Sequence, residues 1–446
     1  MKGMEITIEG VGRWDITLPP TVYPPREDTL MLCQAIAELS ARGAGKALEI
    51  GCGSGLVTMV LTSLGWEVTA CDVNPFAVSS TRGNLELNGL PGAEMIFESG
   101  IGEGLHIPED TELIVWNLPY LDEDIESREF LEKVEEAALN DIPSGGWGRA
   151  LLRLLEEKPQ LCDKVVVILV MRTDPEGNSR VSDWEQGGWS WRSLKSERYG
   201  SEKVEVIGFW RTGSGVDPMI LKSCSSTMDE AAKMKRGKWQ RVLSNLQTDG
   251  RGRKGSNWIS EEGGVFATWN LDPEILETVS PGLIQTSVGA KISKILGVEM
   301  KWPNDIINEG GQKMGGVLLE SSNEDCIRVG VGVNRHSFEK DGVSGSGWEE
   351  KLGELDSSAI FAEIDRSLSS MFEDNGILGR AGARILSIDS WKALSRSLSR
   401  GVAASVGDDL LRPSGLSIRG ELEMVGDLEN SVIRDLDRVQ WFFPDY

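Results

Sequence analysis

The strongest constraint on the fold is an alternation. Between Lys46 and Trp210, short apolar runs with strand character take turns with helical stretches. In order they are ALEI, a helix after Gly55, WEVTACDV, a helix from Pro75, ELIVWN, a helix near Ala150, and VVVILV. That order is the signature of a parallel sheet with crossover helices, an α/β architecture. The run EVIGFW closes it, and the joint Thr212-Gly213-Ser214-Gly215 follows. A new pattern starts at Met219 with MILK and then SCSSTMDEAAKM, where Ser225, Ser226 or Thr227 can cap a helix. From Trp391 the runs are short, GVAASV, ELEMV and SVIRDL, broken by Gly and Asp, which predicts a small β-barrel. The expected division is therefore 1–211, a linker at 212–218, 219–390 and 391–446, in a chain of 446 residues.

Charge and rare residues exclude several classes. The chain has 46 Lys and Arg against 70 Asp and Glu, net −24. Residues 1–211 hold 19 basic and 35 acidic side chains, so most of the excess lies there. Long-range repulsion then disfavours nucleic acid and anionic membrane as partners. Six cysteines without a C-x-x-C pair, and only His106 and His336, argue against a structural zinc site, a disulfide framework or a Ser-His-Asp hydrolase. Met1 to Pro20 lacks an apolar signal core, and Val165 to Met171 is too short to cross a bilayer. A cytoplasmic location is expected.

In the first half, Leu48-Glu49-Ile50-Gly51-Cys52-Gly53-Ser54-Gly55 reads as a strand, a glycine turn and a helix start. Such turns let the backbone approach a ligand closely, but they serve several nucleotide cofactors. Asp72 ends the next strand about 20 residues on, where a carboxylate can take both hydroxyls of a ribose. Asn117-Leu118-Pro119-Tyr120 then ends a buried strand. An Asn carbonyl and the next backbone carbonyl can accept both hydrogens of a planar NH2, aiming its lone pair at an electrophile. The plainer alternative is an ordinary βα unit with capping Asp and Asn residues. Together with Val22-Tyr23-Pro24-Pro25-Arg26-Glu27-Asp28-Thr29, these motifs resemble the HemK-type S-adenosylmethionine-dependent methyltransferases. The opening motif resembles the eukaryotic and archaeal branch, which methylates a glutamine amide of a translation release factor. The resemblance covers about residues 5–211 and implies a Rossmann-like domain. It also implies that Thr29, Glu49, Gly51, Gly53 and Asp72 hold S-adenosylmethionine, and that Asn117, Leu118, Pro119 and Tyr120 take the target amide. Leu118 stands where the family carries proline, and the stretch Phe97 to Ile101 lacks the adenine-contacting Asp of many relatives.

The second half is marked by Gln247-Thr248-Asp249-Gly250-Arg251-Gly252-Arg253-Lys254-Gly255-Ser256-Asn257-Trp258. Cations alternating with glycine form a loop able to wrap a phosphate and a carboxylate. A solvated basic loop is the plainer alternative. Ser226-Thr227-Met228, this loop, Lys301-Trp302-Pro303-Asn304-Asp305, Lys313-Met314-Gly315-Gly316 and Gly330-Val331-Gly332-Val333-Asn334 together resemble biotin–protein ligases over about residues 219–446. The resemblance implies a class II synthetase-like α/β catalytic domain with an SH3-like C-terminal barrel. It also implies biotin, ATP and Mg²⁺ as cofactors and a biotin carboxyl carrier domain as partner. Ser226, Thr227, Met228 and Gln247 would hold the biotin head, with Phe266 and Thr268 lining the pocket. Arg251 and Arg253, with Gly250 and Gly252, would clamp carboxylate and phosphate. Lys301 would stabilise charge at the reacting centre, and Asn334 would read adenine. Ser256 stands where family loops carry Arg. The family admits a homodimer.

The expectation is a bifunctional enzyme. Two rivals concern the first half: methylation of adenine N6 in nucleic acid, or an inactive docking module for the ligase.

Overall fold

The apolar runs of the first half that are joined by crossover helices pair in parallel. A computed structural model describes residues 2–39, 45–119, 143–235, 237, 239–322, 326–340, 342–406, 409–426, 430–434 and 438–443. The chain divides into two units, one of Met1–Gly215 with Asp374–Gly379 and one of Val216–Glu373 with Arg380–Tyr446.

The first unit opens with a hairpin, β1 (Lys2–Ile8) and β2 (Gly12–Leu18), and helix α1 (Glu27–Ala37). Then come β3 (Lys46–Ile50), α2 (Leu56–Ser63), β4 (Glu67–Asp72), α3 (Pro75–Leu87), β5 (Ile96–Glu98) and β6 (Thr111–Asn117). After them lie α4 (Gly146–Glu156), β7 (Val166–Asp174), β8 (Trp189–Tyr199) and β9 (Glu202–Arg211). The sheet order is β5-β4-β3-β6-β7-β9-β8, parallel from β5 to β7 and antiparallel at β9 and β8. Chain order reverses on either side of β3, which opens a crevice at the carboxyl ends of β3, β4 and β6. Register fixes what meets there: Ile50 lies between Cys71 and Trp116, so Asp72 and Asn117 flank the glycine turn. Leu378, from the segment 374–379, belongs to this unit's core, and glycine at 208 leaves its methyl room.

In the second unit the elements are β10 (Met219–Leu221), α5 (Thr227–Lys233), β11 (Gln240–Ser244), β12 (Gly250–Arg251), β13 (Asn257–Trp258), β14 (Val265–Leu271) and α6 (Pro281–Leu296). Next are β15 (Glu299–Lys301), β16 (Asp305–Ile307), β17 (Lys313–Ser322), β18 (Cys326–Val333), β19 (Phe338–Lys340) and β20 (Val343–Gly345). Helices α7 (Ser357–Phe372) and α8 (Ala383–Ser399) follow. The main sheet runs β10-β11-β14-β18-β17-β16-β15 and is antiparallel except for β10 on β11. The buried α6 is closed at both ends by its sequence: Ser280 Oγ accepts from Leu283 N, Pro281 opens the first turn, and Gly297 ends it at φ 66°. One buried carboxylate ties this core together. Asp365 Oδ1 accepts from Trp239 and Trp269 Nε1 at 2.9 and 2.8 Å, and Oδ2 from Arg241 Nε at 2.8 Å.

The C-terminal strands are β21 (Ala403–Val406), β22 (Asp409–Leu416), β23 (Leu422–Val425), β24 (Asn430–Ile433) and β25 (Val439–Phe442), ordered β24-β23-β22-β21-β25. They form an open SH3-like barrel around Leu422, Met424 and Ile433. Trp391 lies inside α8 rather than in a strand, and the first strand begins at Ala403. All six cysteines are free thiols. Among the described residues no helix is long and apolar enough to cross a membrane.

Candidate functional site

The glycine turn of the first unit is held by its neighbour strand. Gly51 and Cys52 N donate to Cys71 O at 2.8 and 3.0 Å, while Gly51, Gly53 and Gly55 adopt φ of 71°, 50° and 83°. A Cβ at residue 51 would be strained by that φ and would stand 3.2 Å from Trp116 Nε1. Asp72 Oδ2 accepts from Gly53 N and Oδ1 from Asn74 N, both at 2.9 Å, so the carboxylate is fixed against the turn. Burial raises its pKa and these two amides oppose the rise. Glu49, beneath the turn, is buried and accepts from Thr58 Oγ1. Burial pushes its carboxyl up to about 8, and the charge of Asp72 adds to that, so Glu49 keeps a proton at neutral pH.

Asn117 is oriented by residues 88 and 89 positions away. Its Nδ2 donates to Thr29 Oγ1 at 3.2 Å and to Asp28 Oδ2 at 3.3 Å. Its Oδ1 is buried and has no hydrogen-bond partner among the described residues. With the NH2 engaged, the open group is an acceptor, the polarity that a planar NH2 requires. Leu118 is buried and Pro119 exposed, while Tyr120 lies outside the described residues. Thr29, Glu49, Gly51, Gly53, Asp72, Asn117, Leu118 and Pro119 all line one cavity of about 460 Å³. Trp147, which the sequence reading passed over, also lines it, with its ring centroid 6.3 Å from that of Trp116. Where many relatives carry Asp the wall is Ser99-Gly100-Ile101, and a side chain at 100 would meet Val73 Cγ1 at 2.4 Å.

The second unit has its own cavity, of about 430 Å³. Ser226 lines it from the cap position of α5, without a capping side-chain bond. Thr227 N and Oγ1 both donate to Gln247 Oε1, at 2.8 and 3.0 Å, and Thr268 Oγ1 donates to Thr227 Oγ1 at 2.9 Å. This chain fixes the Gln247 amide with its NH2 as the remaining group. Thr268 and Phe266 are fully buried on β14, behind the lining rather than in it. Met228, Gly330 and Gly332 form the apolar wall, and a Cβ at 332 would press on the Trp258 ring at 2.9 Å.

Cations also line this cavity. Arg251, Arg253 and Lys313 line the cavity with Gly252. Arg253 donates to Asn304 Oδ1 at 3.5 Å, and Lys313 Nζ lies 5.4 Å from the Trp258 ring centroid. Lys301 is not among the lining residues. It sits 3.3 Å from Asp305 Oδ2, while Lys313 holds Asp305 Oδ1 at 2.6 Å. Lys313 is legible in K-x-G-G without a role assigned to it; it opens β17 opposite Ile307 of β16, and its side chain runs over Gly316, a cavity-lining residue. Asn334 is buried and committed to backbone, accepting from Glu261 N at 3.1 Å and donating to Ile259 O at 3.2 Å. It therefore shapes the wall at Ile259. Among the described residues no group of three or more His, Cys, Asp or Glu forms a cluster suited to a metal ion.

Comparison with known proteins assigns both units a class. The first matches a methyltransferase family and the second a ligase family. Residues 28–153 match the family described as Methyltransferase small domain, and residues 223–334 match the Biotin/lipoate A/B protein ligase family. The chain thus joins an N-terminal methyltransferase small domain to a C-terminal biotin/lipoate ligase domain. It is 33% identical over 130 residues to a biotin–[acetyl-CoA-carboxylase] ligase of Paracoccus denitrificans, spanning 26% of this chain and 53% of that protein. It is 30% identical over 131 residues to ribosomal RNA small subunit methyltransferase C of Klebsiella pneumoniae, spanning 29% of this chain and 37% of that protein. A solved biotin protein ligase from Aquifex aeolicus aligns with 51% of this chain and 99% of its own at 20% identity and a TM-score of 0.40. The chain therefore spans about half the length, or less, of the curated relatives it matches.

Proposed function

We propose that the chain is a bifunctional enzyme, a biotin–protein ligase joined to an S-adenosylmethionine-dependent methyltransferase of a protein glutamine amide. In the ligase reaction a carboxylate oxygen of biotin bonds to the α-phosphorus of ATP and pyrophosphate leaves. The amine of a carrier-domain lysine then bonds to the acyl carbon, AMP departs and the amine loses a proton. The observation that carries this reading is one cavity that combines an apolar wall, an oriented Gln247 amide and the cations Arg253 and Lys313. Fixed cations at the site of developing phosphate charge lower the barrier without reorganising. Lys301 would act one step out, through Asp305. Mg²⁺ would arrive with the nucleotide phosphates. The test is biotin-dependent exchange of pyrophosphate into ATP, followed by biotin transfer to a carrier domain. Exchange that does not depend on biotin defeats the reading.

For the first unit, S-adenosylmethionine would supply an electrophilic methyl. Asp72 would bind the ribose hydroxyls, and the neutral Glu49 would support the turn without adding charge. Asn117 Oδ1 and the Leu118 carbonyl would accept the two hydrogens of the target NH2, with Pro119 and Tyr120 beside it. The unpartnered, fixed acceptor of Asn117 is what supports this. A release factor is the favoured acceptor because 35 acidic against 19 basic residues in 1–211 repel a polyanion. A second reading is methylation of nucleic acid, favoured by the likeness to a ribosomal RNA methyltransferase. Labelled methyl transfer to release factor, with the site mapped by mass spectrometry, supports the first; transfer to RNA alone supports the second. Cofactor binding that survives Asp72→Ala unchanged would favour an inactive docking module. A homodimer and a cytoplasmic site of action complete the reading.

A further inference from the structure

Arg251 differs from the other cations of the ligase cavity in bridging carboxylates on two separate elements, where Lys313 pairs with Asp305 alone among the described residues. The Arg251 NH2 lies 2.8 Å from Asp229 Oδ1 and 3.5 Å from Glu320 Oε2. Asp229 is in the first turn of α5, directly after Ser226, Thr227 and Met228. Glu320 is on β17, the strand that carries Lys313, and lies 3.8 Å from Arg328 NH2. Arg253, by contrast, has no carboxylate partner among the described residues and reaches only the Asn304 amide oxygen.

The loop from Gly250 to Trp258 has few other ties. Its ends are fixed, Thr248 and Asp249 N by Cys224 and Ser225 O, and the far side by Asn334. Its own strands, β12 and β13, pair over two residues each, and the Gly252–Ser256 and Ser256–Arg253 bonds are internal to the loop. The side chain that ties it to both α5 and β17 is Arg251.

We propose that Asp229 and Glu320 are positioning residues that hold Arg251 as a strap, keeping this loop over the acyl-adenylate between the two steps. Arg253 and Lys313 are then the cations that face the reacting groups. The inference rests on the ligase reading above. Its chemical consequence concerns water. If the loop opens before the carrier lysine arrives, a water oxygen bonds to the acyl carbon, the bond to AMP breaks, and free biotin and a proton are released. Exposed ion pairs are individually weak, so the strap opens for substrate entry yet biases the loop toward closure.

The experiment uses the full chain with biotin and ATP and no carrier, following pyrophosphate. The first turnover appears as a burst, and later release reports adenylate lost to solvent. Asp229→Asn with Glu320→Gln should keep the burst and raise the later rate about three- to tenfold, two weak pairs being removed. Asp229→Glu should restore retention. Adding Arg251→Met to the pair should change the leak less than twofold, because the three side chains act as one unit. Wild-type retention in the double variant, or a triple variant far leakier than the double, overturns the strap and makes Arg251 a direct ligand contact. Absence of any biotin-dependent burst from the wild type overturns the ligase reading instead, and the strap with it.

Discussion

Two cavities of nearly equal size, about 460 and 430 Å³, are built on opposite electrostatic plans. The first is walled by backbone turns and the carboxyls of Asp28, Asp72 and Glu103, with the protonated Glu49 beneath the turn and Arg26 as its cation. The second is walled by Arg251, Arg253 and Lys313, with Asp305 between strands. A cationic sulfonium suits the former and a polyphosphate the latter, so charge sorts the two nucleotide ligands where volume does not. The plans also differ in how they are fixed. Hydrogen bonds from the backbone aim Asp72, whereas ion pairs on exposed side chains hold Arg251.

The largest effect that tests this contrast is on stability. Asp365→Ala strands Arg241 and two indole N–H groups in the second core and should cost about 3–5 kcal/mol, read as a fall in the denaturant midpoint of that unit. A loss below about 1 kcal/mol would mean that water replaces the carboxylate. Next comes chemistry. Lys313→Ala should slow biotin-dependent pyrophosphate exchange by about 10²–10³-fold, and Lys301→Ala by about tenfold, because one lysine lines the cavity and the other reaches it through Asp305. The reverse order would return the catalytic role to Lys301. In the first cavity, Asn117→Ala should reduce methyl transfer by about 10²-fold while calorimetry shows S-adenosylmethionine affinity unchanged. Equal loss of both would make Asn117 a cofactor ligand.

Stability of the first unit should also depend on pH. Glu49 is raised in the folded state to about 8 from an ordinary carboxylate value, so the folded unit holds a proton that the unfolded chain releases earlier. Its stabilising share is complete in acid, declines as pH rises above the ordinary carboxylate range, and is gone above about 8. Melting of the first unit should fall across that window, and Glu49→Gln should flatten the curve. A curve of the same slope in the variant would locate the titration elsewhere.

Contiguous motifs were the legible part of both sites. The turn at Gly51 to Gly55 and the run ending in Asn117 announce themselves because strand, turn and ligand contact follow one another along the chain. The loop from Gly250 to Trp258 is legible for the same reason. Which lysine enters the second cavity was not, since Lys301 and Lys313 lie on the strands flanking β16 and both reach Asp305. Asn334 reads as a base-recognising residue, and only folding shows that Ile259 and Glu261 each take one bond from its amide. The helical run through Trp391 was masked by its serines, which break the apolar pattern that would have marked α8.

By itself the sequence determined the two-part organisation, the parallel sheet of the first half and the residue types of both sites, because hydrophobic period and glycine placement act locally. Tertiary structure decided polarity and partnership. It left Asn117 with an open acceptor, gave Glu49 its proton and gave Arg251 two carboxylates. These depend on burial and on distances between residues far apart in the chain, and no local pattern encodes either.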